Sequence, residues 1–89
     1  MRRNDMDLER GQIVRSTAGR DKGLYLVVLA AAGNRVLVAD GHHRSLSAPK
    51  AKNPAHLAPT RKVIGEEQLG SDKLLSAAIA AAFPAAQGI

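Results

Sequence analysis

A short charged loop is the first feature of the sequence whose residue types suggest chemistry. Residues 19–23 read Gly-Arg-Asp-Lys-Gly, with Arg15 just upstream of them. Glycine permits positive φ angles and leaves the backbone bare, so an anionic group can approach the loop amides closely. Arg20 and Lys22 would direct their charges at the same anion. A charged turn between glycines is also an ordinary way to join two strands, and the loop alone favours that structural interpretation.

The loop belongs to a long basic segment of the chain. Between residues 10 and 62 there are ten Lys and Arg residues but only two Asp, and the whole chain of 89 residues has a formal net charge of +5. A field of this sign concentrates anionic partners, so nucleic acid or an acidic surface is the expected partner. The alternative explanation is that the charge serves only to keep the protein soluble.

The three histidines are the other residues with the chemistry for a site. His42 and His43 are adjacent, so on a strand their side chains would point to opposite faces, and the chain has no cysteine to complete a metal site. No serine or carboxylate has a second catalytic residue type at a sequence spacing that would indicate an active site. We therefore expect no metal, no cofactor and no enzymatic activity. His56 lies in a proline-rich segment, where we expect it to hold the loop through hydrogen bonds to the backbone.

The neighbouring sequence predicts the strands that must position these residues. The segments QIVRST, LYLVVLA and RVLVAD have the alternating or continuously apolar pattern of strands, and Gly33-Asn34 supplies a two-residue hairpin turn. Asp40-Gly41 is a second turn, after which HHRSLS is expected to form a short fourth strand anchored by Leu46. The stretch APKAKNPAHLAPT is expected to run extended and irregular because of its prolines, before RKVIG closes the sheet.

Residues 66–83 have the pattern of a helix. Ser71 is a candidate N-cap, Asp72 suits the positive helix end, and Pro84 ends the pattern. The apolar residues at helical spacing are Leu74, Leu75, Ile79 and Phe83. An Ala-rich helix of this length is marginal by itself, so we expect it to pack on the sheet.

These elements predict one small, mainly β domain with a single C-terminal α-helix. We divide the chain into a flexible leader (1–9), a small antiparallel barrel (10–64) and a helix with a tail packed on the barrel (65–89). No apolar run approaches the ~18 residues of a membrane span, and no signal-peptide pattern follows the charged start. Together with the absence of cysteine, this predicts a cytoplasmic protein without a membrane partner.

Two longer stretches carry a resemblance to a known family. GQIVRSTAGRDKGLYLVV resembles the KOW motif, in which a glycine precedes an apolar strand, a basic glycine-containing loop follows, and a second strand begins after another glycine. VLVADGHHRSLSAPKAKNPAHLAPT is similar to the bacterial KOW-domain RNA-binding proteins, relatives of KOW-bearing large-subunit ribosomal proteins of archaea and eukaryotes. In that family a strand ending Asp-Gly is followed by an arginine, a Pro-Lys pair and a His-Leu. The resemblance covers residues 8 to 64.

The resemblance implies an SH3-like barrel that binds structured RNA, ribosomal RNA above all, through loop and strand-end residues. The candidate RNA-binding residues are Arg15, Gly19, Arg20, Lys22, Gly23, Arg44, Lys50, Lys52 and His56. The family pattern is also matched at Asp40, Gly41, Pro49 and Leu57. We expect Asp40 to form the turn that orients Arg44 rather than to make a contact itself.

Two other functions stay open. One is an adaptor that binds a protein of the ribosome or the transcription machinery through the Ala-rich face of the helix, and the other is binding to duplex DNA. Tyr25 and Phe83 are the only residues of the Phe, Tyr and Trp types. A single-strand binder needs stacking platforms, so this scarcity favours recognition of RNA backbone and shape over base stacking.

Overall fold

The computed structural model describes residues 8–84, so most of the predicted leader and the end of the tail lie outside the described residues. One antiparallel sheet contains β1 (Gln12–Ser16), β2 (Tyr25–Ala32), β3 (Arg35–Ala39), β4 (Lys50–Lys52) and β5 (Leu57–Val63), in the spatial order β4-β3-β2-β1-β5. Two short 3₁₀ helices, Pro54–His56 and Glu66–Leu69, and helix α1 (Asp72–Ala82) are the other elements of the described residues. The predicted mainly β fold with one C-terminal helix is confirmed, and the arrangement is consistent with a small SH3-like fold.

The sheet is open at its edges but strongly curved. In a flat sheet, β1 and β4, with two strands between them, would lie about 14 Å apart. Lys52 Nζ on β4 nevertheless donates a hydrogen bond to Ser16 Oγ at the end of β1, at 3.1 Å. Register shifts interrupt the β1–β5 and β2–β3 pairings, as expected of bulges that bend strands. The curvature therefore brings the ends of distant strands together.

The curvature also gives the sheet two buried faces. The face covered by α1 contributes Ile13, Val27 and Ala39 to a core with Leu69, Leu75 and Ile79. The face enclosed by the curved sheet contains Val14, Leu26, Val28, Val36, Val38 and Leu57. Ile13 and Val14 are consequently both fully buried. A half-buried strand, as predicted for QIVRST, would have buried only one of them.

The prediction of a fourth strand in HHRSLS is wrong. Residues 42–47 form bends and turns. The buried carboxylate of Asp40 accepts the backbone N–H groups of His42 and Arg44, at 3.0 and 2.8 Å, and this holds the chain in a tight turn. Backbone donors that bond to a side chain in this way are not available to a strand ladder.

The prediction of an irregular proline-rich segment is also wrong in part. Lys50–Lys52 within it form β4, which pairs with β3, and β5 already begins at Leu57. Pro59 is accommodated in β5 because this strand lies at the edge of the sheet, where one side needs no ladder donors. The two strands are separated only by the 3₁₀ helix Pro54–His56.

Helix α1 begins where the sequence predicts. The Ser71 hydroxyl accepts the backbone N–H of Leu74 at 3.1 Å as an N-cap, and Phe83 past the helix end stacks on Tyr25 with ring centroids 4.2 Å apart. The sequence predicts Leu74 as part of the apolar stripe of the helix. In the structure its side chain is 51% exposed, so this part of the prediction is wrong. Among residues 8–84, no helix has the length and apolar character needed to cross a membrane.

Candidate nucleic-acid interface

The charged loop between β1 and β2 is a closed turn. Gly23 N–H donates to the carbonyl of Ser16 at 2.8 Å, and Lys22 N–H donates to that of Gly19 at 3.2 Å. Gly19 and Gly23 have φ angles of 87° and 95°, which side chains of L-residues rarely allow. Arg20 and Lys22 are exposed at the tip of this loop. The glycines thus perform the structural role that the sequence suggested.

Lys52 lies buried beneath the loop. Its ammonium donates to the carbonyl of Ala18 at 3.0 Å and to Ser16 Oγ at 3.1 Å. A third hydrogen bond goes to Asp21 Oδ1 at 2.9 Å. An ammonium group has three N–H donors, so none is left for an external anion. These three bonds close the curved sheet and leave the Lys52 ammonium without a donor for the phosphate contact that the sequence predicts.

The same cluster keeps Asp21 ionised. Burial by itself raises the pKa of the Asp21 carboxyl, but hydrogen bonds from Lys52 and Ser16 act against it. Together with the charges of Lys52 and Lys50, they hold the pKa below its ordinary value. The Ser16 hydroxyl donates at 2.7 Å, whereas Lys50 Nζ stays 3.7 Å from the second carboxylate oxygen. Asp21 is therefore paired mainly with Lys52.

A cleft of about 210 Å³ opens beside this loop. Its lining residues are Arg20, Asp21, Leu24, Leu26, His43, Arg44 and Lys50. Three of the predicted binding residues, Arg20, Arg44 and Lys50, thus come together although they belong to separate segments of the chain. We call this feature the cationic cleft.

Within residues 8–84, the cations of the cleft are largely uncompensated. In the stretch from residue 8 to residue 84, no carboxylate lies within ion-pair distance of Arg20 or Arg44. Lys50 has only the 3.7 Å contact with Asp21. Three converging positive charges attract an anion. The planar guanidinium group of an arginine can also donate two parallel hydrogen bonds to the oxygens of one phosphate.

Asp40 positions Arg44 at the cleft. One of its carboxylate oxygens accepts the backbone N–H groups of His42 and Arg44, and the other lies 3.0 Å from His43 Nδ1. Burial by itself raises the pKa of Asp40, but the two backbone donors and His43 hold it below its ordinary value. The prediction that Asp40 forms the turn that orients Arg44 is confirmed.

The middle of the β3–β4 connection is tied to α1. Asp72 Oδ1 accepts the backbone N–H of Leu46 at 2.7 Å, and Oδ2 accepts the Ser45 hydroxyl at 2.9 Å. Gly41 lies directly against the first turn of α1, where a Cβ would collide with the Asp72 carbonyl oxygen. Helix α1 therefore positions the segment that carries Arg44 in addition to covering the sheet.

Two predicted residues lie away from the cleft. Arg15 is exposed on β1 and pairs with Tyr25, on the sheet face that α1 covers. His56 is exposed in the first 3₁₀ helix, where its carbonyl accepts the Thr17 N–H at 2.9 Å. The main chain of His56 thus ties down the charged loop, whereas the sequence analysis expected the histidine side chain to hold the proline-rich segment.

His43 is a cleft residue that was not among the predicted RNA-binding residues. Its ring reaches back across the turn to the Asp40 carboxylate three residues earlier. A histidine three residues after the Asp of an Asp-Gly turn is the signal that could have identified it, because such turns fold back on themselves. Within the described part of the chain, no three His, Cys, Asp or Glu side chains are grouped so as to hold a metal ion.

Comparison with known proteins adds no relative. No protein-family model matches the chain, and no curated protein is similar enough to count as a match.

The state of Asp40 predicts an acid dependence of stability. Its pKa in the folded chain is below the value of about 3.9 for an unperturbed Asp, so its stabilising contribution is complete above that pH and is lost as the pH falls through the folded pKa. Asp40→Asn should lower the free energy of unfolding at neutral pH. It should also make this free energy fall less as the pH is lowered from neutral to about 3. Urea unfolding at both pH values measures this, and an unchanged decline would assign the acid dependence to Asp21 instead.

Proposed function

We propose that this chain is a non-enzymatic, KOW-related RNA-binding protein of the cytoplasm, and that it binds structured RNA, ribosomal RNA in the first place, at the cationic cleft. The observation that carries the proposal is the convergence of Arg20, Arg44 and Lys50 on one cleft from three segments. The resemblance supports it, since these three residues are among those that match the family pattern.

The mechanism is electrostatic. Arg20, Arg44 and Lys50 neutralise phosphates of the RNA backbone and release the counterions held there. Lys22, exposed at the tip of the same loop, extends the contact along the backbone. Contacts of this kind fix the position of the RNA without reading its sequence.

The scaffold fixes the backbone segments that carry Arg20 and Arg44 before RNA arrives. The loop that carries Arg20 is fixed by Asp21 and Lys52, and the turn that carries Arg44 is fixed by Asp40. Groups that are ordered in the unbound protein lose less conformational entropy on binding, so the same contacts give higher affinity.

The adaptor alternative has one supporting observation, the exposed Leu74 on α1. Single exposed apolar residues are common on soluble surfaces, so this observation carries less weight than the cleft. Leu74→Ala should leave RNA affinity unchanged and would weaken binding only to a protein partner.

The proposal predicts a steep salt dependence of RNA binding. If about four to six phosphates are neutralised, the plot of log K against log salt concentration should have a slope of roughly −3 to −5 for a structured RNA hairpin. Arg20→Gln and Arg44→Gln should each reduce its magnitude by about one and weaken binding to all RNA sequences alike.

The matched control is Arg35→Gln. Arg35 is exposed in the β2–β3 hairpin and does not line the cleft, so its replacement removes the same charge elsewhere. If Arg35→Gln weakens RNA binding as much as the cleft variants do, the effect is one of net charge and the cleft is not the site. A salt slope near zero would exclude the electrostatic mechanism altogether.

A further inference from the structure

The cationic cleft contains more than a phosphate group requires. Beside its three cations it exposes Leu24 and the imidazole ring of His43, with Leu26 buried behind them. A phosphate gains nothing from apolar and aromatic walls, because it is best held by charges and N–H donors. A nucleobase, in contrast, is held by stacking on aromatic rings, including that of histidine.

The ring of His43 is held in a fixed orientation. Nδ1 lies 3.0 Å from Asp40 Oδ2, and the His42 ring meets it in a T-shaped contact with centroids 4.5 Å apart. The His43 side chain is still 54% exposed, so part of it remains accessible to a ligand. The protein has few aromatic residues, but this imidazole offers the stacking surface that the composition lacks.

The size of the cleft limits its occupant. Its volume is about 210 Å³. Pockets for drug-sized ligands start at about 300 Å³, so this cleft suits one base and not two stacked ones. The cations at its rim suit the phosphate of the same nucleotide.

We infer that the cleft takes one unpaired nucleotide of a folded RNA, with its base stacked on His43 over Leu24 and its phosphate on Arg20, Arg44 and Lys50. This inference rests on the proposed function and makes it more specific. The protein would then prefer RNA helices that contain a bulged nucleotide over fully paired ones.

Three RNA hairpins with the same stem test the inference: one fully paired, one with a single bulged adenosine, and one with an abasic ribose at the bulge. Fluorescence anisotropy titrations at one salt concentration give their dissociation constants. Stacking of one base predicts roughly tenfold tighter binding of the bulged adenosine than of either other hairpin. The abasic hairpin separates recognition of the base from recognition of a flexible backbone.

Substitutions then assign the preference to one ring. His43→Ala should abolish the preference for the bulged adenosine, measured as the ratio of the dissociation constants of the paired and bulged hairpins, and His43→Phe should retain this ratio. His56→Ala is the matched control, because His56 is an exposed histidine that does not line the cleft. Circular dichroism spectra would verify that all three variants are folded.

The failures of the two proposals are distinguishable. Equal affinity for all three hairpins, with the salt slope still dependent on Arg20 and Arg44, would overturn the inference and leave the proposed function intact. A preference that survives in His43→Ala would overturn it as well. No measurable binding of any hairpin at low salt would overturn the proposed function and the inference together.

Discussion

Replacing Lys52 with Met should lower the free energy of unfolding by about 3 kcal/mol. The substitution replaces the lysine stem with an unbranched apolar side chain of similar volume and removes the ammonium that Asp21, Ser16 and Ala18 share. Breaking a buried ion pair costs more than the pair contributes, because one charge stays behind without a partner. The Asp21 side chain is 15% exposed, so water relieves part of this cost and the expected value lies at the low end of the range.

The neighbouring Lys50 provides the matched control. Its side chain is 36% exposed and only 3.7 Å from Asp21, so Lys50→Met should change stability by no more than about 0.5 kcal/mol. Its effect should instead appear in RNA binding, where the salt slope loses about one unit. Lys52→Met, measured at a temperature where it is folded, should keep the slope of the unchanged protein.

Urea unfolding measures the stability of the two variants, and salt titrations of RNA binding measure their slopes. A stable Lys52→Met protein with a reduced salt slope would mean that the Lys52 ammonium serves the RNA after all. The double variant Asp21→Asn, Lys52→Met should recover part of the lost stability, since it leaves no charge buried alone.

The contrast between these two lysines shows which property of the site cannot be predicted from the sequence. Lys50 and Lys52 are two positions apart, and the sequence presents both as cations of one extended segment. Their difference arises because the curved sheet brings the end of β4 beneath the β1–β2 loop. That curvature depends on bulges and on pairing between distant strands, which leave no local pattern in the sequence.

Much of the fold could be predicted because its signals are local. The alternating and apolar runs of β1 to β3, the Gly33-Asn34 turn and the Ser71 cap each act within a few residues. The fourth strand was misplaced because Leu46 is an apolar anchor by pattern alone. In the folded chain its N–H group bonds to Asp72 on α1, a partner far away in the sequence.

The candidate site was predicted in its residues but not in its shape. Arg20, Arg44 and Lys50 were selected for charge and for the family pattern, and nothing in either indicates that they line one cleft. Leu24 and His43, which give the cleft its apolar and aromatic walls, were not selected, because strand residues and adjacent histidines have common structural explanations. The distinction between a phosphate site and a nucleotide site therefore required the structure.

Gly41→Ala should lower the free energy of unfolding by about 3 kcal/mol or more, and Gly23→Ala by only about 1 kcal/mol. Both glycines have positive φ, 79° and 95°, so both variants carry the conformational cost of an L-residue in that region. They differ in their surroundings. Nothing lies within 4 Å of a Cβ at Gly23, whereas a Cβ at Gly41 would collide with the Asp72 carbonyl group and come within 3.1 Å of Ser76 N.

These obstacles are backbone atoms of the first turns of α1, which cannot rotate aside as a side chain would. Relief of the collision must move α1 away from the turn, and that movement breaks the bonds from Asp72 to Ser45 and Leu46. We therefore expect Gly41→Ala to weaken RNA binding at a temperature where it is folded, through displacement of Arg44, and Gly23→Ala to bind normally. Thermal unfolding and RNA titration of the pair measure both effects. Equal losses of stability in the two variants would show that φ strain alone matters and that α1 does not hold the Arg44 turn in place.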